Sequence, residues 1–155
     1  MRKSKNYTRT HAPDARYGSV TVGRFINYIM EDGKKSAAEK VVYGAMDILK
    51  EKTKKEPLEV FEQALENVTP QQELKSRRVG GANYQIPIDV RPGRKFVLAS
   101  RWIITIAKNK TGKAMAERLA DELFAAYNNE GEAIKKKHDT HRMAEANRAF
   151  AHFAR

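Results

Sequence analysis

The sequence contains no cysteine among its 155 residues. This absence excludes disulfide bonds, cysteine-ligated zinc and thiol chemistry, and it fits an intracellular protein best. Long hydrophobic runs are missing as well, because no stretch approaches the roughly 18 apolar residues of a membrane span and no apolar signal core follows the charged N-terminus. We therefore expect a soluble, cytoplasmic protein with neither a membrane span nor a signal peptide.

Motifs for enzymatic or metal chemistry are also scarce. The sequence TGK at residues 111–113 is like the end of a phosphate-binding loop, but Ala107 stands where such a loop needs a glycine. His138, Asp139 and His141 lack the further ligands that a metal site needs. The acidic residues are too dispersed to form an acid–base pair. We therefore expect no catalytic residue, no cofactor, no metal and no small-molecule substrate.

Positive charge, in contrast, is abundant and unevenly distributed. Thirty Lys and Arg oppose nineteen Asp and Glu, which gives a formal net charge of +11. Eleven cations but only three anions lie from Glu73 to Arg118, whereas five Glu and no Lys or Arg lie from Glu56 to Glu73. Such an excess repels itself unless a polyanion is nearby. The segregation predicts a cationic surface for nucleic acid and an acidic helix that points away from it.

A single stretch of the chain, residues 73–90, has the pattern of a β-hairpin. Its return limb alternates apolar and polar side chains, which predicts a strand with one apolar face. Pro87 cannot donate to a strand ladder and so excludes a central position in a larger sheet. A lone hairpin is only marginally stable in water, so this one must pack against helices or against a partner. The predicted turn consists of Gly80, Gly81, Ala82 and Asn83.

Cations lie on both sides of the predicted turn, on the outgoing limb and after the return limb. They are Lys75, Arg77, Arg78, Arg91, Arg94 and Lys95. A cationic two-stranded arm on a helical body suits nucleic acid. Tyr84 on this arm could stack on a base. Trp102 could do so too, but its apolar neighbours favour packing in the core.

Helical periodicity accounts for most of the remaining chain. The predicted apolar helix faces lie within residues 22–30, 41–49, 58–68, 96–107, 115–127 and 143–153. Ser36 and Glu39 predict a capping box for the second helix. The fourth helix is apolar nearly all round, which predicts a central position. We therefore expect one mainly α domain, residues 1–155, in which a single bundle of six helices carries a protruding two-stranded hairpin.

The first sixteen residues carry several cations, only Asp14 opposes them, and they show no apolar period. The pattern predicts a basic N-terminal arm, residues 1–16, that is disordered when free. Its cations are Arg2, Lys3, Lys5, Arg9 and Arg16.

Three further motifs stand out by their length. They are DGKKS at residues 32–36, KSRRVGGANYQ at residues 75–85, and HRMAEAN at residues 141–147 followed by Ala151 and His152. Together they closely resemble the bacterial family of ribosomal protein seven of the small subunit. The resemblance covers nearly the whole chain, and that family's fold is six helices with a protruding hairpin.

The resemblance implies a primary binder of 16S rRNA that is not an enzyme. Such a protein starts assembly of the head of the 30S subunit, in the cytoplasm, near the exit-site tRNA and the mRNA exit path. The implied protein partners are the small-subunit proteins nine, eleven and thirteen. Some members also repress translation of their own operon.

By position, the resemblance implies rRNA contacts on cations in five parts of the chain. They are Arg2, Lys3, Lys5 and Arg9 in the arm, Lys34 and Lys35, the hairpin cations Lys75, Arg77, Arg78, Arg91, Arg94 and Lys95, then Lys108, Lys110 and Lys113, and finally Arg142. The tip at Gly80, Gly81, Ala82, Asn83 and Tyr84 would face the exit site. The chain departs from the family pattern at its start, at residues 124–127 and at its end, which leaves the tail contacts open.

The residues alone leave two other functions open. A DNA-binding helical protein would share the charge, but it should present a recognition helix with adjacent polar readers, which the sequence does not show. An RNA-processing enzyme would need a general base near the cationic surface, for which His138 and His141 are the only candidates.

Overall fold

The computed structural model describes residues 10–154, in which a helical body carries one β-hairpin. The elements are α1 (Val20–Ile29), α2 (Lys35–Thr53), α3 (Pro57–Val68), β1 (Gln72–Val79), β2 (Ala82–Asp89), α4 (Pro92–Asn109), α5 (Met115–Tyr127) and α6 (Gly131–Ala146). A short 3-10 helix, called the C-terminal segment below, spans Arg148–Ala154. The predicted mainly α fold with one hairpin is confirmed. The predicted arm lies outside the described residues from residue 1 to residue 9.

One apolar core is shared by all six α-helices. Near its centre the rings of Phe25 and Phe61 meet edge to face, with centroids 5.0 Å apart, and both side chains are fully buried. The predicted central helix, α4, packs against α1, α3, α5 and α6, but α5 also packs against four helices. Moreover, α4 is not buried all round, because Arg101 and Thr105 are exposed. Trp102 packs against the core, as its apolar neighbours predicted.

The boundaries of the first two helices correct the sequence prediction. The first helix ends at Ile29 instead of continuing to Gly33. The second begins at Lys35, so Ser36 lies inside the helix and the predicted capping box with Glu39 does not form. Pro57, by contrast, occupies the first turn of α3 as predicted, where its missing N–H needs no partner.

The hairpin strands pair antiparallel, from Gln72 opposite Asp89 to Val79 opposite Ala82. Only Gly80 and Gly81 form the turn, and both have positive φ, 58° and 91°. A two-residue loop of type I′ requires positive φ at both positions, which glycine adopts without steric strain. Ala82 belongs to β2, as does Asn83, so the predicted four-residue turn was two residues too long.

The base of the hairpin is packed against the end of the chain. Both strands contact α6, and β2 also contacts the C-terminal segment. Ile86 on β2 is only 2% exposed. The ring nitrogen Nε2 of His141 on α6 accepts a hydrogen bond from the Gln71 N–H at 3.0 Å. The expectation that the hairpin packs against helices is therefore confirmed.

The last predicted helix differs from the observed one. Met143 was expected on its inner face but is 45% exposed, and the helix ends at Ala146. The buried residues of α6 are instead Ala133, Ile134, Thr140 and Ala144. Phe150 and Phe153 belong to a separate element that turns back onto β2.

If the hairpin base is part of the packed structure, Ile86→Ala should lower the free energy of unfolding by about 2–4 kcal/mol, because it removes a buried side chain and leaves a cavity. Urea denaturation measures this change. Ile88→Ala is the matched control at a half-buried position on the same face of β2 and should cost clearly less. A loss below about 0.5 kcal/mol for Ile86→Ala would show that the hairpin contributes nothing to the core.

Candidate nucleic-acid interface

The hairpin and the N-cap residue of α4 present three exposed cations whose side chains have no partner. The side chains of Lys75, Arg78 and Arg91 make no hydrogen bond or ion pair within residues 10–154. Alternation along β1 places Lys75 on one face of the ribbon and Arg78 on the other. Because nothing in the described structure neutralises them, their charge is available to an external anion.

A groove of about 430 Å³ lies on the face of the hairpin that carries Ile86 and reaches Arg91, the residue before α4. Its lining residues are Lys75, Arg77, Ile86, Ile88, Asp89 and Arg91. The groove thus combines an apolar floor with a mainly cationic rim. The one anion, Asp89, accepts a hydrogen bond from the Gln72 side-chain amide at 3.3 Å. Phosphates can bind such a rim while sugars or bases contact the floor.

Two predicted site residues on the hairpin hold the C-terminal segment. The guanidinium of Arg77 donates to the backbone carbonyl of Phe153. The ring of Tyr84 packs between Phe150 and Phe153, at centroid distances of 5.1 and 5.4 Å. Tyr84, proposed from sequence as a base-stacking residue, therefore uses its ring in an internal aromatic cluster. The tip residues, by contrast, are exposed.

Most of the other predicted cations lie beside polar or acidic side chains. The pairs are Arg94–Glu73 (3.3 Å), Lys95–Gln71 (2.5 Å), Lys108–Glu31, Lys113–Asp121 (3.1 Å) and Arg142–Asp139 (2.8 Å). Hydrogen bonds from Lys52 and Lys113 hold the pKa of Asp121 below its usual value. Exposed pairs of this kind are worth about 0–1 kcal/mol, so these cations can exchange their present partner for a phosphate.

The two lysines of the DGKKS motif lie at the start of α2. Lys34 and Lys35 are exposed, and each Nζ lies 3.9 Å from a carboxylate, that of Asp32 and that of Glu39 respectively. At this distance the ion pairs are loose. Both lysines are therefore available to an anion. The four arm cations predicted between Arg2 and Arg9 lie outside the described residues.

Lys110 differs from the other predicted cations because its partner is buried. Its Nζ lies 2.6 Å from Oε2 of Glu122, whose side chain is fully buried in α5. The other carboxylate oxygen of Glu122 accepts the N–H of Ala133 in the first turn of α6 at 3.1 Å. Lys110 therefore neutralises a buried charge that joins α5 to α6. Glu122 was not among the residues predicted from sequence, although its i+3 spacing from Leu119 places it on the apolar face of the helix.

Comparison with known proteins decides between the functions that the residues left open. The sequence matches the family described as ribosomal protein S7p/S5e over residues 1–148. The chain belongs to the ribosomal protein S7p/S5e family. The resemblance found in the motifs is thereby confirmed. Membership makes the chain a structural component of the small ribosomal subunit and not an enzyme, which also excludes the DNA-binding alternative.

Relatives in this family match the chain over nearly its full length. Small ribosomal subunit protein uS7 of Thermotoga petrophila is 59% identical over 99% of this chain and 99% of the relative. The uS7 protein of Chloroflexus aggregans is 60% identical over 92% and 91%. That of Teredinibacter turnerae is 56% identical over 91% and 90%.

Residues 10–154 contain neither a candidate membrane span nor a candidate metal site. Among the helices of residues 10–154, none is long and apolar enough to cross a membrane. In the same part of this S7p/S5e chain, no group of three His, Asp or Glu side chains could hold a metal ion. His141 and Asp139, considered above as metal ligands, instead bind Gln71 and Arg142.

Lys110→Ala should destabilise the fold, because it leaves the buried Glu122 carboxylate without a cation. We expect a loss of about 2–3 kcal/mol in the free energy of unfolding, measured by urea denaturation. Lys113→Ala, which removes an exposed lysine from the same loop, is the matched control and should cost below about 1 kcal/mol. Equal losses for the two variants would mean that Lys110 has no special structural role.

Proposed function

We propose that the chain binds 16S rRNA through the cationic hairpin and starts assembly of the head of the small subunit. The observation that carries this proposal is the pair of unpaired cationic side chains, Lys75 and Arg91, that line an apolar-floored groove, with the unpaired Arg78 exposed on the opposite face of the hairpin. A cation that the protein leaves unneutralised gains most from a phosphate, since no internal ion pair has to break. Arg77 and the paired cations Arg94 and Lys95 extend the same surface along the hairpin base.

The remaining rRNA contacts are proposed at the other predicted cations. They are Arg2, Lys3, Lys5 and Arg9 in the arm, Lys34 and Lys35 at the start of α2, Lys108, Lys110 and Lys113 in the loop before α5, and Arg142 on α6. Among these, Lys110 is the least favoured as an rRNA contact, because its charge already neutralises Glu122. The acidic residues Glu59, Glu62 and Glu66 are exposed on α3, and we propose that this helix faces away from the RNA.

The tip of the hairpin is proposed to face the exit-site tRNA and the mRNA exit path. Support comes from the exposure of residues 80–83 and from the family resemblance of the motif that contains them. The same resemblance supports the small-subunit proteins nine, eleven and thirteen as neighbours in the head. Because the tip makes no core contact, its sequence is free to serve a neighbour.

The RNA-binding proposal predicts a steep salt dependence. With roughly six to eight phosphate contacts, the logarithm of affinity for a 16S head fragment should fall with the logarithm of salt with a slope of about −4 to −7. Filter binding at several salt concentrations measures it. A slope shallower than about −2 would contradict a broad cationic interface.

A single hairpin cation tests where the RNA lies. Arg78→Ala should weaken binding about three- to tenfold and reduce the salt slope by about one, since one phosphate contact is lost without any loss of packing. Lys55→Ala, next to the acidic helix, is the matched control and should leave affinity unchanged. Arg77→Ala is less informative, because Arg77 also holds Phe153. If Lys55→Ala weakened RNA binding as much as Arg78→Ala, the hairpin would not be the preferred RNA-binding surface.

Negative charge added at the hairpin tip tests the proposal that the tip faces the exit-site tRNA. Ala82→Glu with Asn83→Glu places two negative charges at exposed positions, so fold and 16S binding should be little changed. Repulsion of tRNA should lower exit-site occupancy in reconstituted subunits several-fold. Ala82→Gln with Asn83→Gln controls for side-chain size and should preserve occupancy. Equal occupancy for the two double variants would place the tip away from tRNA.

A further inference from the structure

Arg24 on α1 is a cation that belongs neither to the hairpin nor to the recognised motifs. Its guanidinium lies over the ring of Phe96 on α4, with Cζ 4.3 Å from the ring centroid. The ring of Tyr28 packs against Phe96 in turn, with the two centroids 6.0 Å apart. Both aromatic side chains also pack against the apolar core. The guanidinium is therefore supported by a ring that the core holds in place.

The hydrogen-bond donors of Arg24 are unused and accessible. Its side chain makes no hydrogen bond or ion pair with any residue from 10 to 154. That part of the chain contains two buried polar side-chain atoms without a partner, Ser100 Oγ and Arg118 Nε, and neither belongs to Arg24. Its nitrogens are therefore unpaired without being buried. A guanidinium that is stacked on a ring keeps its edge free, and this edge matches two oxygens of a phosphate.

The two helices that meet at Arg24 and Phe96 contain no acidic residue. Helices α1 and α4 pack against each other and carry no Asp or Glu, whereas each of the four other α-helices within residues 10–154 carries three. The cations on α1 and α4 are Arg24, Arg94, Lys95, Arg101 and Lys108. Carboxylates of other elements pair only with Arg94 and Lys108 among these five. An uncompensated cationic surface of this kind is favourable for a polyanion.

Asp14, which passes close to Arg24, does not neutralise it. A Cβ built on the neighbouring Gly23 would lie 3.5 Å from the Asp14 backbone nitrogen. The Asp14 carboxylate nevertheless accepts other donors, the N–H groups of Arg16 and Tyr17 at 3.0 Å and the Tyr43 hydroxyl at 2.7 Å. Residues 14–16 were predicted to belong to a disordered arm. This prediction was wrong, because Asp14 binds Tyr43 and Arg16 binds Asp47, both on α2.

Arg24 lies beside the turns of α4 that already belong to the proposed RNA surface. Arg94 and Lys95, which extend the hairpin base, directly precede Phe96 in the chain. Successive residues of an α-helix point about 100° apart, so these three side chains are spread around the start of α4. Arg24, stacked on Phe96, therefore continues the cationic surface around α4 from the hairpin side to the α1 side.

We infer that Arg24, held by Phe96, binds a phosphate of the same RNA that the hairpin binds, so that the interface continues across the start of α4 onto α1. The inference rests on the proposed function. Phe96 is a positioning residue, because it fixes the guanidinium before RNA arrives and so reduces the entropy lost on binding. The alternative is that Arg24 only covers the ring of Phe96 from water. The two roles differ in their dependence on charge.

The test uses four full-length proteins in a double-mutant cycle. They are the unaltered chain, Arg24→Gln, Phe96→Leu and the combination of both changes. Arg24→Gln removes the charge and keeps part of the aliphatic stem, whereas Phe96→Leu removes the ring and keeps an apolar side chain. Lys50→Gln is the matched control, because it removes an exposed cation from α2, a helix that carries three carboxylates.

We expect Arg24→Gln to weaken binding to a 16S head fragment about three- to tenfold and to reduce the salt slope by about one, since one phosphate contact is lost. Phe96→Leu should weaken binding about two- to threefold with an unchanged slope, because the charge remains, and it should have no effect once Arg24 is Gln. Lys50→Gln should change neither quantity. The urea midpoint of Arg24→Gln should stay close to that of the unaltered chain.

Four results would overturn the inference. In the first, Arg24→Gln leaves RNA affinity unchanged. In the second, it lowers the urea midpoint and leaves the salt slope unchanged, which makes Arg24 only a cover for Phe96. In the third, Lys50→Gln weakens binding as much as Arg24→Gln, so that net charge alone is responsible. In the fourth, Phe96→Leu weakens binding equally with and without Arg24.

The hairpin variant distinguishes failure of this inference from failure of the proposed function. If Arg24→Gln has no effect but Arg78→Ala still weakens binding, the hairpin interface stands and its extension onto α1 is rejected. If neither variant weakens binding, the proposed function itself is rejected.

Discussion

A two-stranded sheet has two open edges and too little apolar surface to be stable alone. The cationic hairpin must therefore pack against the rest of the protein before it can bind RNA. The structure meets this requirement by burying Ile86 and by packing Tyr84 against Phe150 and Phe153 of the C-terminal segment. Arg77 adds a hydrogen bond to the same segment. The ribbon is thereby held at its base, while its tip and several of its cations remain exposed.

The cations of the described residues differ in what surrounds them. Lys110 neutralises a buried carboxylate and serves the fold, whereas Lys75, Arg78 and Arg91 have no partner within the described residues. Net charge alone cannot make this distinction, because it counts every cation equally. An external polyanion gains most where the protein has left charge unneutralised, and the hairpin is such a place.

Local signals predicted much of the architecture, and tertiary contacts decided the rest. The hairpin followed from strand alternation around Gly80-Gly81, and the start of α3 followed from Pro57, because both depend on neighbouring residues. The exposure of Met143 and the burial of Glu122 depend on partners distant in sequence. Of the candidate site, the sequence predicted that Lys75, Arg77 and Arg78 lie on the hairpin. It did not predict that Arg94 and Lys95 lie in the first turns of α4, nor which cations the fold pairs with carboxylates.

The central claim is that RNA lies against the hairpin and not against the acidic helix α3. Because the sequence has no cysteine, a single cysteine can carry a tethered iron chelate that cleaves nearby RNA. Ser76→Cys places the chelate on β1, and Glu62→Cys places it on α3, both at exposed positions. The account predicts strong cleavage of a bound 16S head fragment from residue 76 and little from residue 62. Equal cleavage from both positions, or cleavage from residue 62 alone, would contradict it.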